Sequence, residues 1–118
     1  MTESFTRYDP LILPAPVVTF LDAHDEKRYA EASATFSQDA TVIDDGNTYE
    51  GIDAVSAWLQ KAASEITFTS MRTGQMVDDE IHPVVQIRLE GNFPGGTVTL
   101  RYQFELHVGL ISRLAIEI

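Results

Sequence analysis

Val98, Leu100, Tyr102, Phe104, Leu106 and Val108 alternate with Thr97, Thr99, Arg101, Gln103, Glu105 and His107. This is the period of a strand with one apolar and one polar face. Val85, Ile87 and Leu89 repeat the pattern against Gln86, Arg88 and Glu90, and residues 92–96 between the two runs, NFPGG, predict a hairpin loop. Gly109 marks another turn, after which Leu110, Leu114, Ile116 and Ile118 predict a last strand. Residues 65–78 are rich in Thr, Phe, Met and Ile, but their alternation slips between Phe68 and Met71 and Gly74 interrupts it again. A bulged, bent strand followed by an acidic turn over 78–80 is the simplest account.

The N-terminal half has a different period. Val17, Phe20, Leu21 and His24 share a helical face, which predicts a helix from about Pro16 to about Asp25. Tyr29, Ala32, Ser33 and Phe36 predict a second helix over 26–36, ended by 37–39. Before them, Pro10, Pro14 and Pro16 make residues 1–15 an extended lead-in, expected to fray. Between the halves, Ala40, Val42 and Asp44 fall on one face of a short strand and Thr41, Ile43 and Asp45 on the other. The Asp-Asp-Gly-Asn run then predicts a turn, with Gly46 and Asn47 as the residues that tolerate positive φ, before a second extended piece at 48–50. From Ile52 the helical period returns through Val55, Trp58, Leu59 and Ala62, with Asp53 placed favourably in the first turn.

Helices followed by antiparallel strands predict an α+β fold in which helices cover one face of a curved sheet and leave a concave apolar site. At 118 residues, the chain reads as a single domain over 1–118. Eighteen Asp and Glu against eight Lys and Arg give a net charge of −10, which opposes binding to nucleic acid or to an anionic membrane. With no cysteine, thiolate chemistry and disulfides are excluded. The run from 11 to 18 is too short and too broken by proline for a signal peptide or a membrane span, so a cytoplasmic protein is expected. No His-x-His, His-Glu-x-x-His or Gly-x-Ser-x-Gly pattern and no phosphate-binding loop occurs, so neither a metal nor another cofactor is expected.

Two stretches carry a family resemblance: FLDAHDEKRYAEASATFSQDATVIDD, a helical region entering a strand that ends in acids, and YEGIDAVSAWL, which opens the third helix. From about Val17 to Ile116 the chain resembles the SnoaL-like and ketosteroid-isomerase-like branch of the NTF2-like superfamily. The resemblance implies an NTF2-like (cystatin-like) cone, a curved, mostly antiparallel sheet wrapped around N-terminal helices and enclosing an apolar pocket. It further implies a small apolar, polyketide-like or steroid-like ligand, and a homodimer through the polar sheet face of Thr97, Thr99, Arg101, Gln103 and Glu105. In ketosteroid isomerases an Asp base works with a Tyr and a protonated Asp that hold an oxyanion. By spacing the base falls on Asp44, whereas Phe20 and Tyr102 stand at the positions of the other two. Related cyclases and dehydratases move protons with acids and histidines in the same pocket, which leaves Asp44, His24 and Tyr102 as catalytic candidates. The other class of function open to this fold is a non-catalytic module that binds a ligand or a protein.

Each candidate also has a structural reading. Asp44 points inward by alternation and could take a proton next to a carbonyl, or it could build the turn together with Asp45. His24, on an apolar helical face, could shuttle protons or simply finish its helix. Tyr102 also points inward, where its hydroxyl could serve a ligand oxygen or another protein group. Phe20, Val42, Trp58, Phe68, Leu100 and Phe104 are the expected ligand-contacting wall, and Phe36 belongs with the same aromatics; all could equally be core. Trp58 is expected to border the pocket. His82 and His107 converge with nothing by local spacing.

Overall fold

The computed structural model describes residues 5–65, 68–77, 79, 81–91 and 94–118, and of residues 62–65 and 68 the backbone only. Among these, β1 (Phe36–Asp44), β2 (Asn47–Glu50), β3 (Phe68–Met76), β4 (Val84–Gly91), β5 (Thr97–His107) and β6 (Leu110–Glu117) form one sheet in the order β2-β1-β6-β5-β4-β3. Neighbours run antiparallel except β1 and β6, which are parallel. Register shifts in three of the pairings, near Phe36, Arg72 and Glu105, are the irregularities that bend such a sheet. The α+β NTF2-like cone is the result, with α1 (Ala15–Asp25), α2 (Tyr29–Ser33) and α3 (Ile52–Glu65) preceding most of the sheet in sequence.

The alternation of β5 is realised as read: Tyr102 and Phe104 are buried, and Thr99 and Glu105 are exposed. Facing them, α1 contributes Val17, Phe20 and Leu21, and α3 contributes Val55, Trp58 and Leu59, all in one buried cluster with Val42, Leu114 and Ile116. α1 opens at Pro14, with Pro16 in a first-turn position where its missing N–H costs nothing. It ends where Lys27 takes a φ of 60°.

Several local expectations are corrected. The helix expected over 26–36 is a single short one, Tyr29–Ser33, and Phe36 opens β1 instead. Pairing of Phe36 with Ile111, next to the hydrogen bond from Ile111 N to Thr35 O, outweighs the helix propensity of the alanines. In the turn after β1 the positive φ values fall on Asp45 (52°) and Gly46 (78°), while Asn47 already pairs with Asp44 in β2. That is the Asp-Gly geometry of a tight hairpin. Val108 leaves its strand: with Gly109 it forms the turn between β5 and β6, at φ 50° and 86% exposed. The shift near Glu105 then brings Ile111, not Leu110, into the core.

The lead-in does not hang free. Thr6 and Gln75 exchange backbone hydrogen bonds of 2.8 and 2.9 Å, and the Asp9 N–H donates to the Gln75 side-chain oxygen at 2.8 Å. Gly74 permits this approach, because a Cβ there would stand 3.1 Å from the Thr6 carbonyl oxygen. The first two residues of the loop expected over 92–96 and the outer two of the turn expected over 78–80 lie outside the described residues.

Candidate functional site

Residues paired across neighbouring strands lie side by side on one face, so the register turns the inner face into rows. One row runs Val42, Leu114, Phe104. Two residues further along β1 the next row runs Asp44, Ile116, Tyr102 and continues through Val85 to Gln75. Leu100, Ile87 and Arg72 begin the row after that. Asp44 and Tyr102 are thus separated by one strand, with backbones roughly 10 Å apart at ordinary strand spacing.

These rows differ in burial. Val42 and Leu114 are fully enclosed, Phe104 nearly so, and the Phe20 ring closes over them, 5.9 Å from Phe104 and 5.3 Å edge-on from Phe36. Leu100, Leu89 and Val98 are only half-buried, and Arg72 and His24 are likewise partly open. The concave face is therefore sealed at one end and accessible toward Leu100.

The side chains at the transition form a continuous contact chain. His24 lies 5.6 Å from the Phe20 ring, one helical turn before it, and stacks at 6.4 Å and 23° on Trp58. Trp58 Nε1 donates a 3.0 Å hydrogen bond to Asp44 Oδ2, and Tyr49 covers Trp58 from β2 at 6.3 Å. Asp44 is half-buried and Trp58 buried. Tyr102 is 8% exposed, and its hydroxyl makes no hydrogen bond to another described residue.

Electrostatics fix two protonation states. Burial pushes the His24 imidazole below its ordinary 6.5, against the opposing pull of Asp25 and then Asp44, so it is neutral at pH 7. Burial, reinforced by the charges of Asp44 and Asp25, pushes the Tyr102 phenol well above 10, so it remains a donor at any working pH. A hydrogen-bond donor, a neutral imidazole and a carboxylate thus share one partly apolar surface. Such a set can move a proton and hold an oxygen on which charge develops.

Of the residues singled out in the sequence, Asp44, His24, Tyr102 and Trp58 come together here, with Leu100 at the accessible margin. Phe20, Val42 and Phe104 lie behind them in the sealed part. The Phe68 side chain lies outside the described residues. His82 pairs instead with Asp79 at 3.2 Å in an exposed turn. Sequence reasoning missed Arg72, whose guanidinium bonds to Asp22 and Asp25, each at 2.9 Å, and to the Tyr8 hydroxyl at 2.7 Å. The available signal was that Ser70 and Arg72, read as alternating, put a cation on the inner face of a bent strand; the slipped pattern hid it.

The family model described as a SnoaL-like domain matches residues 17–113, and the chain belongs to this SnoaL-like family of the NTF2-like superfamily. A solved structure of a candidate polyketide cyclase from Sinorhizobium meliloti is 31% identical, covers 93% of this chain and 100% of its own, and superposes with a TM-score of 0.87. A protein of ketosteroid isomerase-like fold from Catenulispora acidiphila, solved with trimethylamine, is 17% identical with a TM-score of 0.77 over 90% of this chain and 86% of its own. A Mycobacterium tuberculosis protein in complex with estradiol-17beta-hemisuccinate is 15% identical with a TM-score of 0.72 over 86% and 88%. These last two share the fold. No curated protein matches the chain. Among the described residues no helix is long and apolar enough to cross a membrane.

Proposed function

We propose that this SnoaL-like protein binds a small apolar carbonyl compound, polyketide-like or steroid-like, at the accessible end of its inner face and moves a proton there without a cofactor. Asp44 takes the proton from the carbon next to the carbonyl. Tyr102 donates a hydrogen bond to the oxygen that becomes negative, and neutral His24 passes a proton to or from the ligand. Trp58 and Leu100 contact the ligand, with Phe20, Val42 and Phe104 forming the apolar wall behind it. Isomerisation, cyclisation and dehydration all use this step.

The carrying observation is the Tyr102 hydroxyl: on a residue that is 8% exposed, without a hydrogen bond to another described residue, and in the same row as the Asp44 carboxylate. No enclosed side-chain polar atom among the described residues lacks a partner, so this hydroxyl reaches accessible space, where a ligand oxygen can take its hydrogen bond. The 31% identical candidate polyketide cyclase and the steroid-conjugate complex of the same fold support the ligand class. A second reading, ligand binding without catalysis, is favoured by the Trp58 bond to Asp44, which by itself explains an inward carboxylate. The two separate on Asp44→Asn: with a ketone or polyketide-like compound found by thermal shift and by Trp58 emission, the folded variant should still bind but lose turnover by about 10²–10⁴-fold. Unchanged turnover would favour the second reading.

We further propose a homodimer through the outward residues Thr97, Thr99, Arg101, Gln103 and Glu105, a flat polar surface suited to a symmetric contact. Sedimentation at micromolar concentration should give twice the 13.1 kDa chain mass, and a single-chain mass would refute it.

A further inference from the structure

The inner face carries a polar cluster that the proposed reaction does not use. Arg72 is mostly buried, its side chain 16% exposed, and reaches from β3 to the last turn of α1. Nη1 meets Asp22 Oδ1 and the Tyr8 hydroxyl, and Nη2 meets Asp25 Oδ2. Ser70 Oγ donates to the other Asp25 oxygen at 3.1 Å, so both oxygens of that carboxylate are held from the β3 side. The Tyr8 ring lies under the guanidinium, 5.3 Å from Cζ, and is itself fixed by the pairing of Thr6 and Asp9 with Gln75. Asp25 directly follows His24, and its charge reaches both His24 and Tyr102.

We propose that Arg72 is a positioning residue for His24: it ties down the Asp25 carboxylate beside the imidazole, so that the charge reaching His24 from α1 is fixed and largely balanced. The groups that face His24 are few. Asp25 lies next to it on α1 and Asp44 approaches from β1, while α3 stacks the uncharged Trp58 on the ring. Of Asp25 and Asp44, only Asp25 is held by a guanidinium, because Asp44 is bonded to an indole instead. Loss of Arg72 leaves Asp25 unbalanced and free to turn toward the imidazole, which favours the protonated ring. This would change the proton-carrying role given to His24 above, on which the functional consequence rests; the charge relation does not depend on it.

NMR titration of the His24 ring in the intact, ligand-free protein tests the relation without any substrate, and so separately from the role of Asp44. Arg72→Gln should raise the His24 midpoint by roughly one pH unit, and Asp25→Asn should lower it. In the Asp25→Asn background, adding Arg72→Gln should move the midpoint far less than it does in the wild type. An unmoved midpoint in Arg72→Gln, or an equal movement in both backgrounds, overturns the proposal. Should Arg72→Gln fail to fold, Arg72→Lys keeps the charge but cannot hold both acids and Tyr8. It should shift the midpoint part of the way, and a wild-type midpoint in Arg72→Lys together with no effect of Asp25→Asn overturns the proposal equally.

Discussion

Val42, Leu114 and Phe104 form one row across β1, β6 and β5, and Asp44, Ile116 and Tyr102 form the next. The first row is sealed beneath Phe20, whereas the second ends in a half-buried carboxylate on one strand and a phenol without a described partner on another. Both rows cross the same three strands in the same register. Their difference is therefore chemical: one row contributes burial, at roughly 25 cal/mol per Å² of apolar surface, and the adjoining row gives some of it up to keep polar groups at a concave surface. A site of this kind needs the sealed row beside it, since only a well-packed neighbour holds a carboxylate and a hydroxyl at fixed separation.

Breaking the sealed row should give the largest effect. Phe20→Ala removes a ring that touches Phe36, Phe104 and His24 and should cost about 3–5 kcal/mol of stability in denaturant unfolding. In the polar row the signs separate. Tyr102→Phe should leave stability within about 1 kcal/mol, because the hydroxyl it deletes makes no hydrogen bond to another described residue, while lowering turnover by roughly 10–10³-fold. A matching loss of both stability and turnover would make Tyr102 another core residue.

Smallest is the pH response. The His24 imidazole titrates below its unfolded value of 6.5 in the folded state, so the unfolded chain binds the proton first as pH falls. His24 therefore contributes stability that is present above about 6.5 and lost on acidification below it. Tyr102 has the opposite sign: its phenol is raised in the fold, and its contribution is lost as pH rises past its unfolded value of about 10. Thermal unfolding across pH should show both limbs, with His24→Gln flattening the acid one and Tyr102→Phe the alkaline one.

Most of the fold was legible because its signals were local. The alternation in β5, the helical face of Val55, Trp58 and Leu59 and the presence of a turn after Asp44 each depend on residues close in sequence. The second helix was overestimated because Phe36 is claimed by Ile111, a partner far away in the chain that propensity cannot register. The same limit applies to the site. Alternation alone set Asp44 and Tyr102 inward, but the Trp58 bond to Asp44, the His24 stack on Trp58 and the reach of Arg72 to α1 are tertiary. Arg72 stayed hidden because the register shift between Arg72 and Gly74 breaks the period by which its face could be counted.

The central claim is that the carboxylate of the polar row takes a proton from carbon, and solvent exchange reads that step whatever the later chemistry. A ketone shown to bind by Trp58 emission is incubated with protein in deuterium oxide, and exchange at the carbon beside its carbonyl is followed by proton NMR. The wild type should incorporate deuterium, and a folded Asp44→Asn variant that still binds should do so about 10²–10⁴-fold more slowly. Equal exchange by Asp44→Asn, or none by the wild type with the ketone bound, would contradict the account.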